Sequence, residues 1–388
     1  MTVQQIYGFV NTMTSEILGK TDLVKEDLTN LVDVGKEVFD ATSVENAARS
    51  LVDHIGKVMF VIRPYDGAAP SVYRDAWEYG SVREKILANI PEAEENESWE
   101  LEDGESYDQN IYYRPDVAAK FYNNKVTFEV PRSITDIQLR SAFDNATQMN
   151  SYSSMILDSI QKSMSIKLDG LVMRTINNAI STTINNEFSG GSGLNGHTGT
   201  RVINVLYLYN QSAGTNYTFA QAILVPDFIR FATYIISLYM DRMSKISTLF
   251  NLGAQARYTP KDLMHLVVLT DFAEASKIFL QSQTYHDDLV KLKGYDSVPY
   301  WQGSSTGYGL DKISKIDVTI KVGSSAVDVS CAGVLGVLFD HDALGVSNLN
   351  QRVTSHYNAK GEFTNTWYKA DGSYFNDFNE NVIVFVAA

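Results

Sequence analysis

Cysteine is nearly absent from this chain of 388 residues, in which Cys331 is the only one. A single cysteine excludes an intramolecular disulfide, and its place in the apolar run 331–339 predicts a buried strand rather than a reactive thiol. The first lysine or arginine is Lys20, so the basic region of a signal peptide is missing as well. We therefore expect the chain to be made and kept in a reducing cytosol.

Positive charge and long apolar runs are also scarce. Lysine and arginine total 32 against 46 acidic residues, which gives a net charge of −14 and a pI near 4.9. Such a chain has no sequence-independent attraction to phosphate backbones or anionic lipid. The longest apolar runs, 231–240 and 331–339, fall short of the roughly 18 residues that cross a membrane. Composition therefore argues against sequence-independent nucleic-acid binding and against membrane insertion. A content of 44% hydrophobic and 20% charged residues predicts a globular fold.

The segment 92–110 lacks the apolar residues of a core, because Leu101 is its only large aliphatic residue. It lies inside 64–132, which we predict to be a projecting loop that returns as a strand over 120–131. Long excursions without a core are usually functional, so we expect this one to be ordered against another subunit. The predicted contact residues are Glu92, Glu94, Glu95, Glu97, Trp99, Glu100, Glu102, Asp103 and Glu105.

Helical periodicity is strongest in the middle of the chain. Apolar residues recur at every fourth position, namely Ile156, Ile160, Met164, Leu168, Val172, Ile176, Ile180 and Ile184. This spacing predicts one long helix that includes 156–184. Each step of four overshoots a turn by about 40°, so the stripe winds around the helix and meets different neighbours along its length. Gly170 is a candidate bend in this helix.

The N-terminal region has a second, thinner helical stripe formed by Val3, Ile6, Tyr7, Val10, Met13 and Ile17. A stripe this narrow does not build an independent domain, so we expect the region to pack on a neighbouring subunit or on another protein.

Beyond residue 200 the patterns alternate between strand and helix. They predict strands at 201–208, 265–270 and 316–322, helices at 227–252 and 271–292, and terminal strands at 333–340, 352–357, 363–369 and 382–386. The whole chain is therefore predicted to have an α+β fold.

Residues able to carry chemistry do not form a recognisable catalytic or cofactor motif. Asp340, His341 and Asp342 could ligate a metal, but adjacent strand residues point to opposite faces, so a strand end with Asp342 capping the next turn is the simpler interpretation. The glycine-rich stretch 190–193 lacks the lysine of a phosphate-binding loop and is interpreted as a linker. Trp301 beside Asp296 and Tyr300 is the best candidate for a sugar site. The C-terminal aromatics, Tyr357, Phe363, Trp367, Tyr368, Tyr374, Phe375 and Phe378, could also form a sugar platform, although core or inter-subunit packing is favoured.

The order of parts and several stretches of sequence resemble the Hong Kong 97-type major capsid proteins of tailed bacteriophages. The stretches are PSVYRDAWEYGSVREKI, ESWELEDGESYDQN, KFYNNKVTFEVPRSITDIQLRSAF, HDDLVKLKGYDSVPYWQG, VLGVLFDHDALGV and HYNAKGEFTNTWYKADGSYFNDFNENVIVF. They look like the capsid proteins of long-tailed phages and prophages of Gram-positive hosts. The resemblance covers nearly the whole chain.

The resemblance implies a division of the chain into five parts. These are an N-terminal arm at 1–63, an extended loop at 64–132, a peripheral domain at 133–199 with the spine helix at about 147–186, an axial domain at 200–334, and terminal strands at 335–388 that return through the peripheral to the axial domain. Only residues 1–63 precede the loop, so we expect a separate scaffolding protein.

The resemblance also implies what the protein does. It implies a head shell, icosahedral or prolate, that self-assembles from hexamers and pentamers in the host cytoplasm and ends in the virion around double-stranded DNA. A scaffolding protein, a portal and a decoration protein are the implied partners, and neither catalysis nor a cofactor is implied. Two alternatives stay open here, namely an encapsulin-type nanocompartment shell and a carbohydrate-binding or hydrolytic phage protein.

Overall fold

The computed structural model describes residues 69–74, 83–88, 117–142, 146–281, 294–302 and 313–388, together with the isolated residues 11, 33, 34, 37, 103, 110 and 112. The predicted N-terminal stripe lies outside the described residues.

Helices and strands are mixed along the described chain, as the predicted α+β class requires. The described helices are α1 Asp136–Ala142, α2 Ala146–Glu187, α3 Val205–Ala213, α4 Phe219–Ala222, α5 Pro226–Met243 and α6 Thr270–Gln281. The described strands are β1 Tyr73–Arg74, β2 Arg83–Ala88, β3 Val117–Tyr122, β4 Lys125–Thr135, β5 Val202–Asn204, β6 Met264–Leu269, β7 Tyr295–Val298, β8 Ile316–Val322, β9 Ser325–Cys331, β10 Val334–Asp340, β11 Leu344–Asn358, β12 Phe363–Asn376 and β13 Val382–Val386. They form a four-stranded sheet β1-β11-β12-β4, a five-stranded sheet β5-β13-β10-β6-β7, and the ribbons β2-β3 and β8-β9.

The predicted long helix is α2, and its ends fall within one residue of the prediction. With 42 residues it spans about 63 Å. It contacts β4, β11 and β12 of the four-stranded sheet as well as β5 and β13 of the five-stranded sheet. The winding stripe is therefore confirmed: one helix packs along both sheets and connects them.

The four-stranded sheet is built around one long antiparallel hairpin. Its strands β11 and β12 contain the predicted strands 352–357 and 363–369 but are much longer. The carbonyl oxygen of the Asn358 side chain accepts hydrogen bonds from the backbone N–H groups of Lys360 and Gly361 and so shapes the turn between them. The prediction of a single strand over 120–131 was wrong. Residues 123–124 separate two strands, of which β3 pairs with β2 in a ribbon and β4 pairs with β12.

The five-stranded sheet is buried on both faces, which explains its continuous apolar strands. Along β13, Val382, Val384 and Val386 belong to the same core cluster as the second half of α2. Ile383 and Phe385 belong to the cluster formed with α3, α5 and α6. This sheet is thus the central layer between the long helix α2 on one face and helices α3, α5 and α6 on the other.

Two predicted elements after residue 200 were wrong in their ends. The predicted strand 201–208 stops at Asn204, whose side chain accepts a hydrogen bond from the Tyr207 N–H at 3.1 Å and caps α3. The predicted helix 227–252 ends at Met243, and the chain folds back until the Thr259 N–H donates to the Met243 carbonyl at 2.9 Å. The predicted helix 271–292 is described only as far as Gln281.

Cys331 is buried, as predicted, but it ends β9 rather than opening the next strand. Gly333 separates β9 from β10 with φ +74, a left-handed conformation that favours glycine. Burial raises the pKa of the Cys331 thiol to about 12, so the thiol stays protonated at neutral pH. None of the described helices is long and apolar enough to cross a membrane.

Candidate assembly surface

The ribbon β2-β3 has two chemically different faces. Lys85 pairs with Lys120 across the ribbon, and both lie on the same face as the buried Tyr122. The opposite face carries Ile86 and Phe121, which are 67% and 62% exposed. One face thus holds the ribbon to its own chain, while the other presents large apolar side chains.

Buried ion pairs fix the first face to the turn between β12 and β13. The Lys85 ammonium donates to Asp377 Oδ2 at 3.0 Å and to Glu380 Oε1 at 2.8 Å. The Lys120 ammonium donates to Asp377 Oδ1 at 2.9 Å, and Arg257 Nε lies 3.8 Å from Glu380 Oε1. The Asp377 side chain is fully buried, so this contact is specific to one position of the ribbon.

The two carboxylates of this cluster respond differently to their surroundings. Burial opposes ionisation of Asp377, but the ammonium groups of Lys120 and Lys85 outweigh it and lower the pKa of this carboxyl. Burial dominates at Glu380 and raises its pKa in spite of Lys85. Burial of Lys85 is likewise outweighed by Glu380 and Asp377, which raise the pKa of its ammonium. Asp377 is thus the more firmly ionised carboxylate of the cluster, and Glu380 is the more easily protonated one.

The start of the predicted extended loop is fixed by backbone contacts. The Arg74 guanidinium donates to the carbonyls of Ser71, Tyr73 and Leu344 at 2.6, 3.0 and 3.0 Å, and also to that of His341. The Ser71 N–H donates to Asp296 Oδ2 at 3.0 Å. Residues 71–74 are therefore held against the segments that contain Asp296 and Leu344.

The acidic residues predicted to contact another subunit fall almost entirely outside the described residues. Of that set only Asp103 is described, and it is exposed. Their role stays a prediction. The ion-pair residues on the ribbon were missed, because Lys85 and Asp377 are separated by 292 positions in the sequence and belong to no motif.

The predicted spine residues are placed along α2. Ile156, Ile160, Val172, Ile176, Ile180 and Ile184 are buried, and Met164 and Leu168 are partly buried. Gly170 lies on the exposed side within the helix, and an added Cβ would meet nothing within 4 Å. Its role as a bend stays a prediction.

A second exposed apolar surface lies on the fold-back that follows α5. Ser247 and Arg257 form an antiparallel bridge, which sets Ile246 beside Tyr258. Both of these side chains are exposed, as is Leu249. The Leu252 N–H donates to the Phe378 carbonyl at 2.9 Å and holds this segment to the β12–β13 turn.

The residues weighed for chemistry have structural partners. Asp340 rather than Asp342 shapes the turn after β10: its Oδ1 accepts from the Asp342 N–H at 2.8 Å, and its Oδ2 accepts from the Thr259 hydroxyl at 2.7 Å. Within the described ranges, no group of three or more His, Cys, Asp or Glu side chains could hold a metal ion. Trp301 is fully buried and donates from Nε1 to the Val334 carbonyl at 2.8 Å, so its ring has no face to offer a sugar.

The predicted linker lines an open groove rather than a phosphate cradle. Gly191 and Gly193 lie on one side of it, Lys315 and Ala332 on another, and its volume is about 630 Å³. Ser189–Gly191 is a 3-10 turn packed against β9. The packing on β9 gives the glycines a structural role.

Comparison with known proteins gives one family match. Residues 10–386 match the model of the Phi29-like phage major capsid protein. No curated protein matches the chain.

Several solved phage structures are similar over most of the chain. A chain from the capsid structure of Staphylococcus phage Andhra is 9% identical, with 84% of this chain and 86% of that chain covered and a TM-score of 0.49. A chain from the structure of head fiber and inner core protein gp22 of native bacteriophage P68 is 9% identical, with coverages of 84% and 85% and a TM-score of 0.49. A chain from the capsid structure of the cyanophage P-SCSP1u is 12% identical, with coverages of 84% and 90% and a TM-score of 0.44.

Proposed function

Because the chain belongs to the family of Phi29-like phage major capsid proteins and so forms the shell of a phage head, we propose that the β2-β3 ribbon is one of the surfaces through which its copies bind each other. The observation that carries this proposal is the division of the ribbon into a fixed and an exposed face. Lys85 and Lys120 bind the fixed face to the same chain, which leaves Ile86 and Phe121 in water. Burying two such side chains against a neighbour contributes about 1.5–3 kcal/mol each.

The strand edges of the ribbon support the same proposal. Within the described residues β2 and β3 pair only with each other, so each strand has one edge that no described strand covers and that could bind a strand of another copy. The acidic segment with Glu92, Glu94, Glu95, Glu97, Trp99, Glu100, Glu102, Asp103 and Glu105 lies between these strands in the sequence and extends the same contact.

The wider organisation of the head belongs to the same proposal. Copies assemble as hexamers and pentamers in the host cytoplasm, with a scaffolding protein, a portal and a decoration protein as partners. The N-terminal arm with Val3, Ile6, Tyr7, Val10, Met13 and Ile17 binds a neighbour or the scaffold. The shell acts without catalysis. A wall with a net charge of −14 per subunit does not hold double-stranded DNA through counterion release, which leaves the genome free to enter and leave.

The test of this proposal is the double variant Ile86→Asp/Phe121→Asp. We expect it to stay folded and soluble but to form no closed shells, because two charges would be buried at each contact. Val322→Asp is the matched control, since Val322 is an exposed apolar strand residue on the other ribbon. Electron microscopy counts the shells, and circular dichroism checks the fold. Normal shells from the double variant would contradict the proposal.

A further inference from the structure

The ion pairs beneath the β2-β3 ribbon share one cation between two carboxylates. The Lys85 ammonium bonds both Asp377 and Glu380, whereas Lys120 bonds Asp377 alone. Arg257 reaches Glu380 from the fold-back after α5. The ribbon, the β12–β13 turn and that fold-back are therefore joined through one buried cluster.

The charges of this cluster are balanced only while the ribbon is in place. The groups that face Glu380 are Lys85 from β2, Arg257 from the fold-back and the Asp340 carboxylate from the end of β10. Asp377 faces the two lysines and the Tyr122 hydroxyl. If the ribbon left, Glu380 would keep only the more distant Arg257 as a cation while still facing Asp340. Release would also admit water to Glu380, which lowers the pKa of its carboxyl, so the carboxyl takes up a proton more readily where the loss of the Lys85 ammonium at 2.8 Å outweighs the loss of burial.

We propose that the β2-β3 ribbon is held by an acid-sensitive latch, in which release of the ribbon and neutralisation of Glu380 favour each other. The linkage is reciprocal: a proton on Glu380 removes half of the anionic charge that holds Lys85, and loss of Lys85 favours that proton. Asp377 keeps its charge over the same pH range because both lysines stabilise it. Acid therefore weakens the latch at Glu380 first. This inference does not depend on shell assembly, because every group in it belongs to one chain.

The test is hydrogen exchange of the amides in 83–88 and 117–122, measured on the whole unassembled chain from about pH 8 to about pH 4.5 and expressed as protection relative to intrinsic rates. In the wild-type chain we expect protection to fall on the order of tenfold across this range. Glu380→Gln should show the low protection already at the upper pH and change little below it. Asp377→Asn should lose protection at every pH, because both lysines lose their shared acceptor.

Two further variants keep the test decisive. Glu274→Gln is the matched control, since Glu274 forms an exposed pair with Lys277 at 2.6 Å, and its ribbon should behave as in the wild type. Lys85→Gln removes the shared cation without touching a buried carboxylate and should also abolish the pH dependence. A wild-type ribbon whose protection is constant with pH, or rises as the pH falls, would overturn the latch. So would a Glu380→Gln ribbon that keeps the wild-type pH dependence. Neither result would bear on whether Ile86 and Phe121 form shell contacts.

Discussion

At the scale of single residues, the buried carboxylate of Asp371 joins three strands. It accepts from the Thr127 hydroxyl at 2.6 Å and from Arg352 at 2.5 Å, and it pairs with Lys125 at 3.1 Å. Burial opposes its charge, but Arg352, Thr127 and Lys125 outweigh burial and lower the pKa of Asp371 to about 2. Asp371→Asn keeps the shape of the side chain and removes the charge. We therefore expect it to lower the free energy of unfolding by about 1–3 kcal/mol at neutral pH.

The effect of this variant depends on pH with a definite sign. The pKa of Asp371 is lower in the folded than in the unfolded chain, so its charge stabilises the fold above the unfolded value near 3.9. That contribution is lost as the pH falls from about 4 through about 2. Urea unfolding of wild type and variant at pH 7 and near pH 3 measures it, and the difference should shrink at the lower pH. Asp317→Asn, in the exposed pair with Lys315, should change stability by less than about 0.5 kcal/mol at both. A constant difference would contradict this account.

Sequence reasoning finds such residues poorly because their partners are distant in the chain. Asp371 and Thr127 are 244 positions apart, and Lys85 and Glu380 are 295 apart. None of these residues stands out by type or by spacing. Only the register of β4 and β12 brings the first pair together, and register depends on the whole sheet.

At the scale of elements, the sequence predicted best what depends on local periodicity. The stripe from Ile156 to Ile184 predicted the body of a helix 42 residues long, while its two ends came from the resemblance, and the buried run 382–386 matched β13 at both ends. β2 was missed because its apolar residues stand together at its end instead of alternating with polar ones. β9 was missed because Cys331 was assigned to the following strand, although β9 alternates and places Val329 and Cys331 in the core. The predicted strand 201–208 failed because one capping side chain, Asn204, converts its second half into a helix.

Gly170 offers a test of the long helix itself. It lies in a regular part of α2 with open space around its Cβ position, so Gly170→Ala should raise the free energy of unfolding by about 0.5–1 kcal/mol. Gly333→Ala is the opposite case, because φ is +74 and the new Cβ would lie 2.2 Å from the Ala387 carbonyl oxygen. We expect that variant to be clearly destabilised. Denaturant midpoints of the two variants and the wild type measure both effects. If Gly170 also serves as a bend when the shell changes shape, Gly170→Ala shells should differ from wild type in that change.

At the scale of the whole molecule, the dominant electrostatic feature is a net charge of −14 on every copy. A shell packs many such copies edge to edge, so their repulsion adds up over all neighbours. Under the proposal that the β2-β3 ribbon binds neighbouring copies, exposed apolar side chains such as Ile86 and Phe121 provide the opposing attraction. Assembly is therefore a balance between burial, which moderate salt does not weaken, and repulsion, which salt screens.

This balance predicts that assembly becomes stronger as ionic strength rises from low values. Salt shortens the range of repulsion to about 8–10 Å near physiological strength, whereas an exposed ion pair between copies contributes only about 0–1 kcal/mol and is all that salt removes. Repulsion summed over every neighbour should outweigh those few pairs. Light scattering of purified subunits across a sodium chloride series measures the outcome, and the yield of shells should rise before it levels off. The Ile86→Asp/Phe121→Asp chain is the control, because salt cannot restore burial that the variant has removed. A steady loss of shells from the lowest salt upward would mean that complementary charge between copies, with the acidic segment as its natural source, holds this shell together instead.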